Sequence, residues 1–338
     1  MAITVKIIRI TILLTVLMLP FDLFAQPLLG KVGVYSLPNT PWWNQWTSYK
    51  EILSNNPDFN LEWYLRGELG SEQQLITGAR RNRIQIISVS SQGMASIAPE
   101  LSIVLAPNVF SSLHEADFIF DNYLSSPIRN IFRSLGLEIL HYTEVGWGVL
   151  YTTNQPVVEP HQLKNKTLRI SPSLTLQSFM QALKTDYAIL EIGELIPALQ
   201  TGLVQGGLTN LIFAHNALGD QICCVTELRL MYEMGANFAN AKWYRTATEA
   251  QKLDLINSYQ SLKKMRENVR QYNKTITDGF GNTNLAYFKL SKTQRQSWEK
   301  ASSRSQKLIL ENTGFAGQEL FDILNDGKEA YRQYLHHK

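Results

Sequence analysis

The chain is short of several things at once. Two cysteines in 338 residues exclude a disulfide-framed scaffold and a four-cysteine zinc site. Charged residues make up only 18 % while aromatics reach 10 %, which excludes a disordered or coiled-coil protein. Basic and acidic residues number 32 and 29, a net charge of +3. No stretch of clustered Lys and Arg forms the footprint that nucleic-acid binding requires. There is no Walker phosphate loop, no Gly-x-Ser-x-Gly elbow and no His-Glu-x-x-His helix. Gly279-Phe280-Gly281 is a fragment of a dinucleotide fingerprint that follows no strand, and the six histidines are scattered. No internal repeat or low-complexity tract is present. What is there is a globular chain long enough for about two domains at roughly 100–200 residues each.

The N-terminus says where such a chain works. Lys6 and Arg9 precede an uncharged apolar run, Ile10 to Leu19, which Pro20 and Asp22 interrupt before Leu-Phe-Ala-Gln. A basic start, a core of about 7–15 apolar residues and a small residue before the cut form a secretory signal. Residues 1–25 are therefore expected to be removed after Ala25, giving a periplasmic protein; an uncleaved anchor is the rival reading. A spanning helix needs ~20 apolar residues, and no later segment reaches that length. Cys223 and Cys224 are adjacent. A bridge between neighbours departs from preferred geometry, so two buried thiols are expected, with a disulfide as the alternative.

The mature chain reads as strands alternating with amphipathic helices. Strands are expected at Lys31–Tyr35, around Leu61 to Leu65, and at Ile84–Val89, with helices between them. That order favours a parallel sheet covered by helices. A helix from His114 to Leu135 follows, and His114-Glu115-Ala116-Asp117 reads as its acidic first turn rather than as a ligand cluster. Further strands are expected at Leu137–His141, Val149–Thr153, Thr167–Ser171 and Val204–Asn210, with a helix at Glu194–Gly202. A helix from Thr246 to about Ile276 would span about 45 Å, enough to brace two lobes. Two helices, Lys292–Asn312 and Gly317–Tyr334, end the chain.

Binding residues gather where such strands end. Ser90 and Ser91 follow a parallel strand and precede a helix, a junction that presents hydroxyls and N–H groups toward a cleft. Ser171-Pro172-Ser173 repeats the arrangement. Arg169, between Leu168 and Ile170, points to the opposite face from both and can clamp a carboxylate through two parallel hydrogen bonds. A solvated strand arginine is the plainer alternative. Trp42, Trp43, Trp46 and Trp147 either line a pocket or belong to the core.

These segments, in this order, resemble the extracytoplasmic solute receptors of tripartite ATP-independent periplasmic (TRAP) transporters, the DctP family. The resemblance rests on Gly67-Glu68-Leu69-Gly70-Ser71-Glu72, Ile84 to Ser91, Pro99-Glu100, Leu105-Ala106-Pro107 and Glu115-Ala116-Asp117. It continues in Leu163 to Ile170 and Ala198-Leu199-Gln200-Thr201-Gly202-Leu203-Val204-Gln205-Gly206, so it covers about Lys31 to Asp322. It implies an α/β, two-lobed periplasmic-binding-protein fold (type II-like, Venus-flytrap) with a long helix bracing both lobes. Arg169 falls on the family's carboxylate clamp, Ser90 on its polar contact after the third strand, and Tyr35 on a variable first-strand contact. The family asparagine is Thr209 here. A second arginine that many relatives carry is missing from Gly146-Trp147-Gly148-Val149, where Trp147 and Glu144 stand instead. That departure favours a monocarboxylate over a dicarboxylate.

The expected protein is thus a non-catalytic receptor that binds a small organic acid through Arg169, Ser90, Ser91, Trp147, Thr209, Tyr35, Glu144 and Ser171. It needs no cofactor or metal, acts as a monomer, and delivers its ligand to integral-membrane TRAP permease subunits. Lobe I is expected at 26–149 plus about 228–275, and lobe II at 150–227 plus about 276–338. The alternatives are a receptor feeding a signalling partner and a secreted enzyme on the same scaffold.

Overall fold

Capping and alternation set out the first lobe. In the computed structural model, which describes residues 26–282 and 284–337, the leader and its cleavage point lie outside the described residues. Strand β1 (Leu28–Gly33) leads to helix α1 (Pro41–Ser54), where Thr40 Oγ1 accepts the Trp43 N–H at 3.2 Å. Pro41 opens that helix, where its missing N–H costs nothing. Strand β2 (Phe59–Tyr64) pairs parallel with β1 on one side. After α2 (Glu72–Arg80), β3 (Ile86–Val89) pairs parallel with β1 on the other. Ser90 then caps α3 (Ser91–Ile97). Helices α4 (Leu113–Ile119) and α5 (Ser125–Ser134) run on through a π turn at Phe120–Leu124, close to the single helix expected there.

The chain crosses between lobes on two long strands. Strand β4 (Leu137–Thr152) is continuous, where two strands separated by a segment around Gly146 were expected. Bulges between Ile139 and His141, Glu144 and Gly146, and Trp147 and Val149 absorb the irregularity. Gly146, at φ 99°, supplies the backbone conformation that a side chain would resist. The second lobe follows: β5 (Thr167–Ile170), α6 (Leu174–Leu183), β6 (Asp186–Ile189), α7 (Ile192–Gln200), β7 (Gly206–Asn210) and α8 (Leu211–Leu218). Strand β8 (Cys224–Asn240) returns antiparallel along β4 and reaches β3. The sheet order is β2-β1-β3-β8-β4-β7-β5-β6, with the later β9 (Ala286–Lys289) against β8.

The expected 45 Å helix is several helices. After α9 (Ala241–Thr246), α10 (Glu249–Asn257) ends at Ser258, and Ser261 starts a new helix, α11 (Leu262–Gly279), by accepting the Lys264 N–H. The bracing remains: α11 packs on β4, α1 and α8. Beyond α12 (Lys292–Ser302), the last helix, α13 (Ser305–His336), breaks its helical geometry at Gly314 and touches both Pro99–Ile103 and α6. Among the described residues, apolar side chains form four clusters, two in each half of the sheet. Trp46, Tyr49 and Tyr259 meet edge to face in one first-lobe cluster, while Phe179 lies with Trp298 in a second-lobe cluster. Full burial of one large apolar side chain contributes about 1.5–3 kcal/mol.

Cys223 and Cys224 are joined to each other, which corrects the expectation of two thiols. Adjacent residues cannot diffuse apart, so closing the bridge costs little chain entropy.

Candidate functional site

A cavity of about 240 Å³ lies between the lobes, lined from both of them and from the crossing strands. Arg169 reaches it from β5, whose register sets Arg169 between Ala188 of β6 and Gly207 of β7. Gly207 has to be glycine, because a Cβ there would fall 2.4 Å from the Tyr151 hydroxyl oxygen. Arg169 is 7 % exposed. Its Nε donates to the Leu190 carbonyl at 3.0 Å. Its two terminal nitrogens have no hydrogen-bond partner, and no carboxylate pairs with it, among the described residues. Burial pulls its pKa below the usual value, opposed by Tyr151, Glu191 and Glu72. Arginine keeps its proton even so. The site therefore holds a buried cation whose fork is open to the cavity.

The other expected residues divide. Tyr35, Ser90, Ser171 and Thr209 line the same cavity. Tyr35 is seated by a single bridge to Arg66, and a Cβ at Gly67 would strike its ring at 2.6 Å. The Ser90 hydroxyl is already committed: it donates to Glu72 Oε2 at 2.8 Å and accepts the Gly93 N–H at 3.2 Å as the cap of α3. Ser91 is buried beside the cavity and donates to Glu233 Oε2 at 2.9 Å. Ser173 caps α6 and donates to Gln92 Oε1, while the Thr175 hydroxyl reaches the Ser102 carbonyl at 3.0 Å. Those two bonds tie the lobes across the cleft.

Glu144 and Trp147 are not in the cleft. Both line a groove on the other side of the crossing strands, because the bulges shift which face each residue presents. Glu144 is 1 % exposed and receives Arg270 Nη2 at 2.7 Å and the Tyr232 hydroxyl at 2.9 Å. Arg270 also makes a two-pronged bond to Asp117, at 2.8 and 2.7 Å. Burial works against its charge, yet the bonds to Asp117 and Glu144 outweigh that and raise its pKa. Trp147 packs edge-on against Tyr232. This is a structural joint fastening α11 to the crossing strands.

Trp42 and Trp46, left open between pocket and core by the sequence, line the cavity, and Trp42 Nε1 donates to the Glu144 carbonyl at 3.0 Å. Sequence reasoning missed other lining residues, Phe213 among them. Glu72, Glu191 and Glu233 line it as well. Burial pushes the Glu72 and Glu233 carboxyls up, opposed by the bonds from Ser90 to Glu72 and from Ser91 and Gln92 to Glu233. Glu72 stood inside a motif already noted; Glu233 lies in a strand that was not foreseen.

Residues 33–312 match the family described as bacterial extracellular solute-binding protein, family 7, or DctP. The chain belongs to this family. Among DctP-family relatives, the ectoine-binding periplasmic protein TeaA of Halomonas elongata is 24 % identical over 300 residues, 81 % of this chain and 82 % of TeaA. The 2,3-diketo-L-gulonate-binding periplasmic protein YiaO of Escherichia coli is 25 % identical over 116 residues, 34 % of this chain and 35 % of YiaO. The galactonate complex of the sugar acid binding protein DctPAm from Advenella mimigardefordensis superposes with a TM-score of 0.81. It is 18 % identical and covers 90 % of this chain and 100 % of that one. The DctP fold, two lobes of mixed α/β sheet and helix, is thus the fold of this chain, and the chain is a solute receptor of that family.

Proposed function

We propose that this receptor binds a small organic acid in the interlobe cavity, with Arg169 holding the carboxylate, and delivers it to the membrane permease subunits of a TRAP-type transporter. The observation that carries the reading is the buried Arg169 guanidinium, whose terminal nitrogens face the cavity without a protein partner. A buried guanidinium with unanswered terminal donors is costly, and an incoming carboxylate lowers that cost through a two-pronged bond. Thr209, Ser171 and Tyr35 line the rest of the cavity beside it. Ectoine, diketogulonate and galactonate, the solutes of the relatives named above, each carry a carboxylate, which supports the same class here.

The lobes are proposed as 26–149 with about 228–275, and 150–227 with about 276–338. Both crossings then fall inside β4 and β8, next to the bulge at Trp147 and Val149. Flexing there would open the cavity and closure would bury the ligand. The proposed receptor is non-catalytic, acts as a monomer, and is exported to the periplasm with residues 1–25 removed.

The test is a melting-temperature series on refolded, ligand-free residues 26–338 against a panel of organic acids. A true ligand at 100 times its dissociation constant adds ~2.7 kcal/mol of stability. A narrow set of carboxylates should shift the wild type and leave Arg169→Ala unshifted. Equal shifts in both proteins would remove Arg169 from the binding role.

A further inference from the structure

The charges around the cavity do not balance. Its lining holds one basic side chain, Arg169, against three carboxylates, Glu72, Glu191 and Glu233. None of the three carboxylates pairs with a Lys, Arg or His among the described residues. Their protein partners are neutral. Glu72 accepts from the Ser90 N–H at 2.6 Å and the Ser90 hydroxyl at 2.8 Å; Glu233 accepts from the Ser91 hydroxyl and from Gln92 Nε2 at 3.1 Å. An ionised carboxylate offers about four acceptor positions, so both keep capacity for a further donor. The three do not converge as ligands of one metal ion, since no such group occurs among the described residues.

Two more features point to an occupant rather than to a solvated wall. Ser36, 6 % exposed, lines the cavity with a hydroxyl that has no protein partner. Trp42, Tyr35 and Phe213 line the same space, and aromatic faces attract cations. A dicarboxylate would bring its second negative charge among Glu72, Glu191 and Glu233, where like charges repel. A solute with a cationic group meets them as counter-charges.

Resting on the Arg169 reading above, we propose that the solute is a zwitterion. Its carboxylate sits on Arg169, and its positively charged nitrogen group sits among Glu72, Glu191 and Glu233. This separates the receptor from binders of sugar acids and dicarboxylates by the charge at the far end of the ligand.

Isosteric pairs test the assignment by titration calorimetry on refolded residues 26–338. The pairs are glycine betaine with tert-butylacetate, proline with cyclopentanecarboxylate, and ectoine with a methylcyclohexenecarboxylate; succinate serves as the dianion. The cationic member of at least one pair should bind tenfold or more tightly than its neutral-ended twin. Glu233→Gln and Glu191→Gln should each cut that preference to less than threefold while affinity for the neutral-ended twin stays within threefold. Glu191 begins a helix near the surface, so its variant keeps the test open should Glu233→Gln fold poorly. If neutral-ended acids or succinate bind as tightly as the zwitterions, and Arg169→Ala abolishes that binding, the zwitterion assignment alone is wrong. If no acid of either kind binds, or binding survives Arg169→Ala, the carboxylate reading falls and takes this one with it.

Discussion

Arg270 and Arg169 are both drawn out of bulk water, and their surroundings differ in kind. Arg270 is gripped by Asp117 and Glu144 on the closed side of the crossing strands. Arg169, the more buried of the two, meets only a backbone carbonyl and the cavity. A guanidinium whose three nitrogens are all answered by the protein holds the fold together. One whose fork is left open is stabilised only when something enters. The contrast separates a joint from a binding site more sharply than burial or charge alone.

Breaking the joint should have the largest effect. Arg270→Ala leaves Glu144 buried without a counter-charge, and removing one partner of a buried pair costs about 3–5 kcal/mol. Chemical denaturation should show that loss, and a loss under about 1 kcal/mol would mean the cluster is solvated. Strand β4 also carries His141, half-buried and stacked on Tyr259 at 4.4 Å. Burial lowers its pKa from 6.5 to about 4. The unfolded chain therefore takes up this proton below about pH 6.5, and the folded protein does so only near pH 4. Stability contributed by neutral His141 is present above pH 6.5 and is lost as pH falls through that window. At pH 5 the loss should reach about 2 kcal/mol. Measured against His141→Phe, this slope separates from the opposing contribution of Glu72 and Glu233, which both proteins share.

Smaller effects sharpen the binding side. Ser90→Ala should cost about 1 kcal/mol of stability through the lost cap. It should change ligand affinity less than threefold, because the hydroxyl proton already serves Glu72. A tenfold loss would instead give Ser90 a direct contact. Arg169→Ala, measured without ligand, should alter stability by less than about 1 kcal/mol, since it removes one hydrogen bond and relieves an unpaired buried charge.

The sequence was legible where a local rule decided the outcome. Arg169 could be placed because it interrupts an apolar strand, so alternation alone sets its face. Ser90 and Ser171 to Ser173 could be placed at strand-to-helix junctions, although the capping roles of Ser90 and Ser173 were not foreseen. Glu144 and Trp147 could not: three bulges in β4 reset the alternation, and a bulge leaves no mark beyond a glycine that also suits a turn. The helix at 246–276 was over-read because apolar spacing continues across Ser258 to Ser261, where Ser261 caps a new helix. β8 had a usable signal in Leu228, Leu230, Tyr232, Met234, Ala236 and Phe238. That alternation puts Glu233 on the opposite face, toward the cavity. The three-to-one excess of carboxylates there was invisible, because Glu72, Glu191 and Glu233 come together only through the sheet order.

The most direct measurement is a crystal structure of residues 26–338 with the tightest-binding acid from the panel. The account predicts both carboxylate oxygens within about 2.7–2.9 Å of the terminal nitrogens of Arg169, with the rest of the ligand inside the interlobe cavity. A ligand whose carboxylate lies elsewhere, with the Arg169 fork still empty, would contradict it.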